Sequence, residues 1–164
     1  PPHEALDTVY DKIREAGIEL RINGPRLEVV AGGGIKSTDI TTSPYPGFPT
    51  DMQAQFMALM TVGDSASIIN ETIFENRFMH VSELNRLGAN ITLEGHVAIV
   101  KGVHRLSGAP MMATDLRASA SLILAALAAK GQSEVARVYH LDRGYDKLDE
   151  KLISLGAKIR RVKE

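Results

Sequence analysis

The stretch Leu87-Gly88-Ala89-Asn90-Ile91-Thr92 decides the fold, because the chain writes it three times. It ends a helix on leucine, turns on glycine and starts a strand. Glu15-Ala16-Gly17-Ile18-Glu19-Leu20 has the same form, and so does Leu155-Gly156-Ala157-Lys158-Ile159-Arg160. Glycine just past a helix allows the left-handed conformation that closes it. Glycines 17, 88 and 156 stand 71 and 68 residues apart, a period long enough for one supersecondary unit.

Working outward, residues 4–15 place Leu6, Val9, Tyr10 and Ile13 at helical spacing. Ile18–Ile22 alternates as a strand, Asn23-Gly24 reads as a hairpin turn, and Pro25 to Val30 as the return strand. Gly32-Gly33-Gly34 is a connector. A short strand at Asp39–Thr42, a helix over 51–62, a strand at 66–69 and a helix over 79–87 follow. A second hairpin pairs 90–93 with 97–100 about Glu94-Gly95. The order then restarts: strand 110–113, apolar helix 115–129, strand 133–139, helix 145–154, strand 158–162.

The unit is β-α-β-α-β-β, which makes the class α/β (α+β) with repeated units. The predicted division is 1–34 as the tail of one unit, 35–102 as a complete unit, and 103–164 as a third lacking its last strand. A strand at 158–162 without a hairpin partner would leave an open edge. The chain is therefore expected to be one incomplete domain of a longer polypeptide, truncated at both ends.

Composition excludes several classes. Net charge is −1 and the pI about 6.6, which is no footprint for nucleic acid or a membrane surface. Absence of cysteine removes disulfides, thiolate metal sites and a thiol nucleophile from this segment, and suits the cytoplasm. The longest apolar run, 122–129, is far below the ~20 residues of a membrane span. Histidines 3, 80, 96, 104 and 140 show no ligand spacing, so neither metal nor cofactor is expected. Gly34-Ile35-Lys36-Ser37 lacks the glycine that a P-loop needs before lysine.

The chemistry-bearing feature is a Thr-Asp pair opening a helix twice. Thr50-Asp51-Met52-Gln53 fits a capping box, with Thr50 as N-cap and Gln53 reaching back. Thr114-Asp115-Leu116-Arg117 keeps the cap but sets arginine in the first turn, against the helix dipole. Arg77 and Arg143 sit just upstream of the next predicted helices. Each arginine alone reads as a solvated surface residue. As a set with Asp51 and Asp115, they point to an anion site at helix starts sharing one edge.

Four stretches carry a resemblance to a known family: Phe48-Pro49-Thr50-Asp51-Met52-Gln53-Ala54-Gln55, Glu71 to Met79, Ala113 to Ala120, and Tyr139 to Tyr145. Together they resemble the UDP-N-acetylglucosamine 1-carboxyvinyltransferase family, over its C-terminal part only. The resemblance implies an enolpyruvyl transferase-like fold with pseudo-threefold symmetry, in which strand from the family's extreme N-terminus closes the last unit. It implies enolpyruvyl transfer from phosphoenolpyruvate to the 3-hydroxyl of UDP-N-acetylglucosamine, in the cytoplasm, at the start of bacterial peptidoglycan synthesis. Cell-wall biogenesis, cell shape and division would depend on it.

By the same resemblance, Asp51 takes or positions the sugar hydroxyl proton. Arg77 and Arg117 hold the phosphoenolpyruvate carboxylate, and Arg143 its phosphate. Asp115 orients Arg117, and Thr50 and Ile73 line the sugar-nucleotide pocket. The proton-donor loop and most nucleotide contacts lie outside these residues, so the segment alone is expected to be inactive. The alternatives are the sister enzyme acting on shikimate 3-phosphate, a non-catalytic repeat domain binding through strand edges, and an RNA-modifying enzyme of related fold, which the near-neutral charge disfavours.

Overall fold

A computed structural model describes residues 3–30 and 32–162. The first helix, α1 (Asp7–Glu15), buries Val9 and Tyr10 and carries Asp7 in its first turn and Arg14 in its last, matching the helix dipole. Strands β1 (Glu19–Asn23) and β2 (Arg26–Val30) form an antiparallel hairpin closed by Gly24 at φ 57°. Then come β3 (Ile40–Thr41), α2 (Gln53–Met60), β4 (Ala66–Asn70), α3 (Val81–Arg86), β5 (Asn90–Glu94) and β6 (Val97–Lys101). They make one sheet of order β3-β4-β6-β5, in which only β3 and β4 are parallel. Strands β7 (Pro110–Met112) and β8 (Glu134–Ala136) are again parallel, with α4 (Leu116–Ala128) between them. Two short helices follow, α5 (Tyr139–Asp142) and α6 (Leu148–Ser154).

The three helix ends first noticed in the sequence share one geometry. Gly17, Gly88 and Gly156 have φ of 86°, 87° and 93°. In each, the residue after glycine donates its N–H to a carbonyl five positions back: Ile18 to Ile13, Ala89 to Leu84 and Ala157 to Leu152. This is the Schellman closure, and it satisfies a carbonyl the helix leaves orphaned. The carbonyl before the glycine is also reused. Ala16 O accepts from Lys36 N at 3.0 Å, and Leu87 O accepts from Ser107 N at 2.8 Å. Each such bond joins one helix end to the start of the next stretch of chain.

The core is built on α2 and α4. Ala54, Phe56, Met57, Ala58 and Met60 are buried on α2, so this helix is enclosed on nearly every side. Small residues of α4, Ala118, Ser119, Ala120, Ser121 and Ala125, are also buried and let neighbouring elements approach closely. The buried hydroxyls of Ser119 and Ser121 donate to carbonyls of their own helix, Asp115 O and Ala118 O. Close approach elsewhere demands glycine outright. A Cβ on Gly102 would stand 1.9 Å from Gly63 O, and one on Gly108 2.3 Å from Gln132 O. Among the described residues no helix is long and apolar enough to cross a membrane.

Three sequence expectations need correction. The predicted strand at 158–162 does not form. Its counterpart β5 exists through pairing with β6, and no described segment offers residues 158–162 such a partner. The strand predicted to run to Tyr139 stops at Ala136, because Arg137 takes a positive φ of 60° and Tyr139 opens α5. The helix predicted from Tyr145 begins at Leu148, after Lys147 at φ 48°.

Candidate active site

The loop at 43–49 delivers Thr50-Asp51 to one edge of the molecule. Phe48 anchors it: the ring is buried and meets Phe56 edge-on, centroids 5.4 Å apart. The turn is tight at Gly47, where a Cβ would lie 2.9 Å from Ser43 Cβ and 3.1 Å from Pro44 O. Thr8 of α1 donates to Pro46 O at 2.6 Å and ties the loop to the preceding helix.

The expected capping box is absent. The 3-10 turn Thr50–Met52 starts after Pro49 without a side-chain cap. Thr50 Oγ1 instead donates to Glu71 Oε2 at 2.8 Å. Gln53 is 1% exposed and cannot reach back over the surface. At the second copy the cap is real, but the capping residue is Asp115 rather than Thr114. Asp115 Oδ1 accepts from Arg117 N at 2.8 Å and Ala118 N at 3.0 Å.

Asp51 gathers the charges. Arg117 Nε donates to its Oδ1 at 2.6 Å, and an Arg77 guanidinium nitrogen lies 3.4 Å from the same oxygen. Two arginines 40 residues apart in sequence thus converge on one carboxylate. Arg77 is further held over the Phe74 ring, 4.1 Å from its centroid. The Arg117 hydrogen bond, with smaller help from Arg77, holds the Asp51 carboxyl below the usual carboxylate range. The same bond raises Arg117. The Asp51 side chain is 60% exposed, so this cluster faces solvent and is open to a ligand.

Of the three arginines expected at helix starts, only Arg117 is in a first turn. Arg77 lies four residues before α3, and Arg143 is the C-cap of α5. The predicted helices were too long at their N-termini, because loop segments supplied apolar residues at helical spacing. Arg143 is exposed and pairs with no described residue. Its neighbourhood is nonetheless defined: a Cβ on Gly144 would lie 2.8 Å from Leu116, which separates Asp115 from Arg117, and Gln55 Nε2 bonds Tyr145 Oη at 3.3 Å. The 143–145 segment therefore abuts the starts of α2 and α4. Behind it, Arg161 grips Asp142 bidentately at 2.7 and 2.8 Å and reaches Asp149 at 3.3 Å. Ile73 lies on the exposed turn after β4, its N–H bonded to Glu71.

Two groups escaped the sequence reading. Glu71 is 1% exposed, and Ser67, Ile69 and Glu71 share the buried parity of β4. That period of two was the signal that could have found it. His80, also 1% exposed, has no partner for Nε2 among the described atoms, and nothing in its spacing marked it.

Comparison with known proteins bears on the family and the fold. The family model for EPSP synthase (3-phosphoshikimate 1-carboxyvinyltransferase) matches residues 2–152. A UDP-N-acetylglucosamine 1-carboxyvinyltransferase from Geobacter metallireducens is 61% identical over 98% of the chain and 39% of the relative. One from Desulfosudis oleivorans is 62% identical over 99% and 38%. The chain thus spans under two-fifths of the length of these relatives. The enolpyruvyl transferase NikO from Streptomyces tendae superposes with a TM-score of 0.87 at 30% identity, over 94% of this chain and 36% of that one. EPSP synthase from Acinetobacter baumannii gives 0.60 at 16%, a likeness of fold. With the repeat, the sheet order and these matches in hand, the chain belongs to the EPSP synthase (3-phosphoshikimate 1-carboxyvinyltransferase) family and has the enolpyruvyl transferase fold.

Proposed function

We propose that the protein carrying these residues transfers the enolpyruvyl group of phosphoenolpyruvate to the 3-hydroxyl of UDP-N-acetylglucosamine. The sugar oxygen adds to C2 while C3 takes a proton. The tetrahedral ketal then loses inorganic phosphate and the C3 proton to give the enolpyruvyl ether. The observation that carries this reading is the convergence of Arg77 and Arg117 on Asp51 Oδ1. It sets two cations beside one hydrogen-bond acceptor, as a doubly anionic substrate attacked by a hydroxyl requires.

Arg77 and Arg117 bind the phosphoenolpyruvate carboxylate, and Arg143 the phosphate. Asp51 accepts the hydrogen bond of the attacking hydroxyl. Its lowered pKa suits it to orient that hydroxyl and take the proton as the C–O bond forms, rather than to remove it beforehand. Asp115 orients Arg117 through the backbone, by capping the turn from which Arg117 projects. Thr50 and Ile73 line the sugar-nucleotide pocket. No metal or cofactor enters the scheme. The division into units at 34/35 and 102/103 belongs to the same reading. So do a cytoplasmic location and a role in peptidoglycan precursor synthesis, on which cell shape and division depend.

Shikimate 3-phosphate is the rival acceptor, favoured by the description of the matching family model. Against it stands the contrast between 61–62% identity to the sugar-nucleotide enzymes and 16% to an EPSP synthase. Phosphate release by the full-length protein from phosphoenolpyruvate with each acceptor decides. Release with shikimate 3-phosphate alone would overturn the proposal, and the isolated 164-residue chain should release none.

A further inference from the structure

We infer that Glu71 is the positioning residue that holds the Asp51 and Arg77 loops in register. The inference rests on the reading of Thr50, Asp51, Ile73 and Arg77 as a substrate-binding edge. Glu71 follows the last residue of β4, and its own N–H is fixed to His96 O at 2.9 Å. Its carboxylate is buried and pairs with no described lysine, arginine or histidine. It is satisfied by hydroxyl and amide donors alone. Oε1 accepts from Thr42 Oγ1 at 2.8 Å, Ile73 N at 2.9 Å and Phe74 N at 3.2 Å. Oε2 accepts from Thr50 Oγ1 at 2.8 Å.

These partners are the roots of the proposed site. Thr50 precedes Asp51 directly. Phe74 supplies the ring beneath the Arg77 guanidinium, and Ile73 is the expected pocket residue. One carboxylate therefore joins two loops that meet again, outside, at the contact between Arg77 and Asp51. Thr42 braces the assembly from just after β3: it is buried, bonds Asn70 O through its own N–H at 2.9 Å, and accepts from Thr72 N on its hydroxyl at 2.9 Å. A buried carboxylate with four donors is costly to assemble unless every donor is in place, so it specifies one arrangement of both loops. A shift of the order of 1 Å at such a site costs about 10²-fold in rate.

The test uses the full-length protein with Glu71→Ala and Glu71→Gln. It reads phosphate release from phosphoenolpyruvate and UDP-N-acetylglucosamine, calorimetric binding of phosphoenolpyruvate, and thermal unfolding. Glu71→Ala should fold, lose about 10²-fold in kcat, raise KM for both substrates and weaken phosphoenolpyruvate binding about tenfold. Glu71→Gln should stay within about threefold of wild type: its carbonyl replaces Oε1 and its amide can donate to the Thr50 hydroxyl, which reverses its role. A folded Glu71→Ala with unchanged kcat, KM and phosphoenolpyruvate affinity would overturn the inference. So would Glu71→Gln as impaired as Glu71→Ala, because charge and not placement would then matter. If Glu71→Ala does not fold, Thr42→Val, which removes one donor far from substrate, should lower kcat/KM several-fold, and an unchanged value sinks the idea. If the wild type releases no phosphate with this sugar nucleotide, the proposed reaction falls. Phosphoenolpyruvate affinity in the variants then decides the positioning role by itself.

Discussion

Lowering the pH from 7 to 5 should destabilise the protein by about 2 kcal/mol through one side chain, His80. The imidazole is 1% exposed, and burial pushes its pKa down from 6.5 to about 4, against the weaker pull of the Asp115 charge. The unfolded chain therefore binds a proton that the folded chain refuses throughout the window between about 4 and 6.5. The stabilisation is complete above about pH 6.5 and is lost as pH falls toward 4. At about 1.4 kcal/mol per pH unit the full loss is about 3 kcal/mol, of which about 2 falls between pH 7 and 5. The depressed carboxyls of Asp51 and Asp142 act with the same sign but lower down, as pH falls below their ordinary 3.8. Urea denaturation followed by circular dichroism at pH 7, 6 and 5 gives the slope. The same series on His80→Leu, which keeps the volume and removes the titration, should lose about 2 kcal/mol of that dependence. Equal slopes in both proteins would refute the reasoning. A wild type flat between pH 7 and 5 would do the same.

Further outcomes follow from the other contacts. Arg117→Lys should lower kcat/KM by at least about 10²-fold in the full-length protein. An ammonium can replace the charge but cannot engage Asp51 and a carboxylate with a planar fork, and steady-state phosphate release measures the loss. Asp115→Ala should lose about 1 kcal/mol of stability with the α4 cap, while Asp115→Asn, which keeps an acceptor, should lose much less on thermal melting. Arg161→Ala should free the 142–149 segment, speeding amide exchange there and raising the KM for phosphoenolpyruvate with little change in KM for the sugar nucleotide. Gly102→Ala should cost about 3 kcal/mol or more, because the added Cβ would meet the backbone of Gly63, which cannot swing aside. Soluble yield and melting temperature would show it.

The repeat was legible because its marks are local. A glycine after a helix, an Asn-Gly turn and an alternating strand each act within a few residues, so Gly17, Gly88 and Gly156 announced three equivalent helix ends in advance. The sequence showed that a strand at 158–162 would lack a partner, and without one the strand does not form, since a strand exists only by pairing. Helix starts were misplaced for a related reason. Tyr145 lies within helical spacing of Leu148 and Leu152 and packs against the same buried cluster, yet Lys147 in the left-handed region keeps Tyr145 outside the helix.

What the sequence by itself determined is the repeated unit and the family resemblance, and it offered the candidate acidic and basic residues of the proposed site: Asp51, Arg77, Asp115, Arg117 and Arg143. Only the tertiary structure decided how they meet. It put Arg77 and Arg117 on one oxygen of Asp51, made Asp115 a backbone cap, and gave Thr50 to Glu71 instead of to its own helix. The physical reason is range. Periodicity and turn chemistry act over a few residues of chain, whereas a hydrogen bond joins whatever folding brings within about 3 Å, however far apart in sequence.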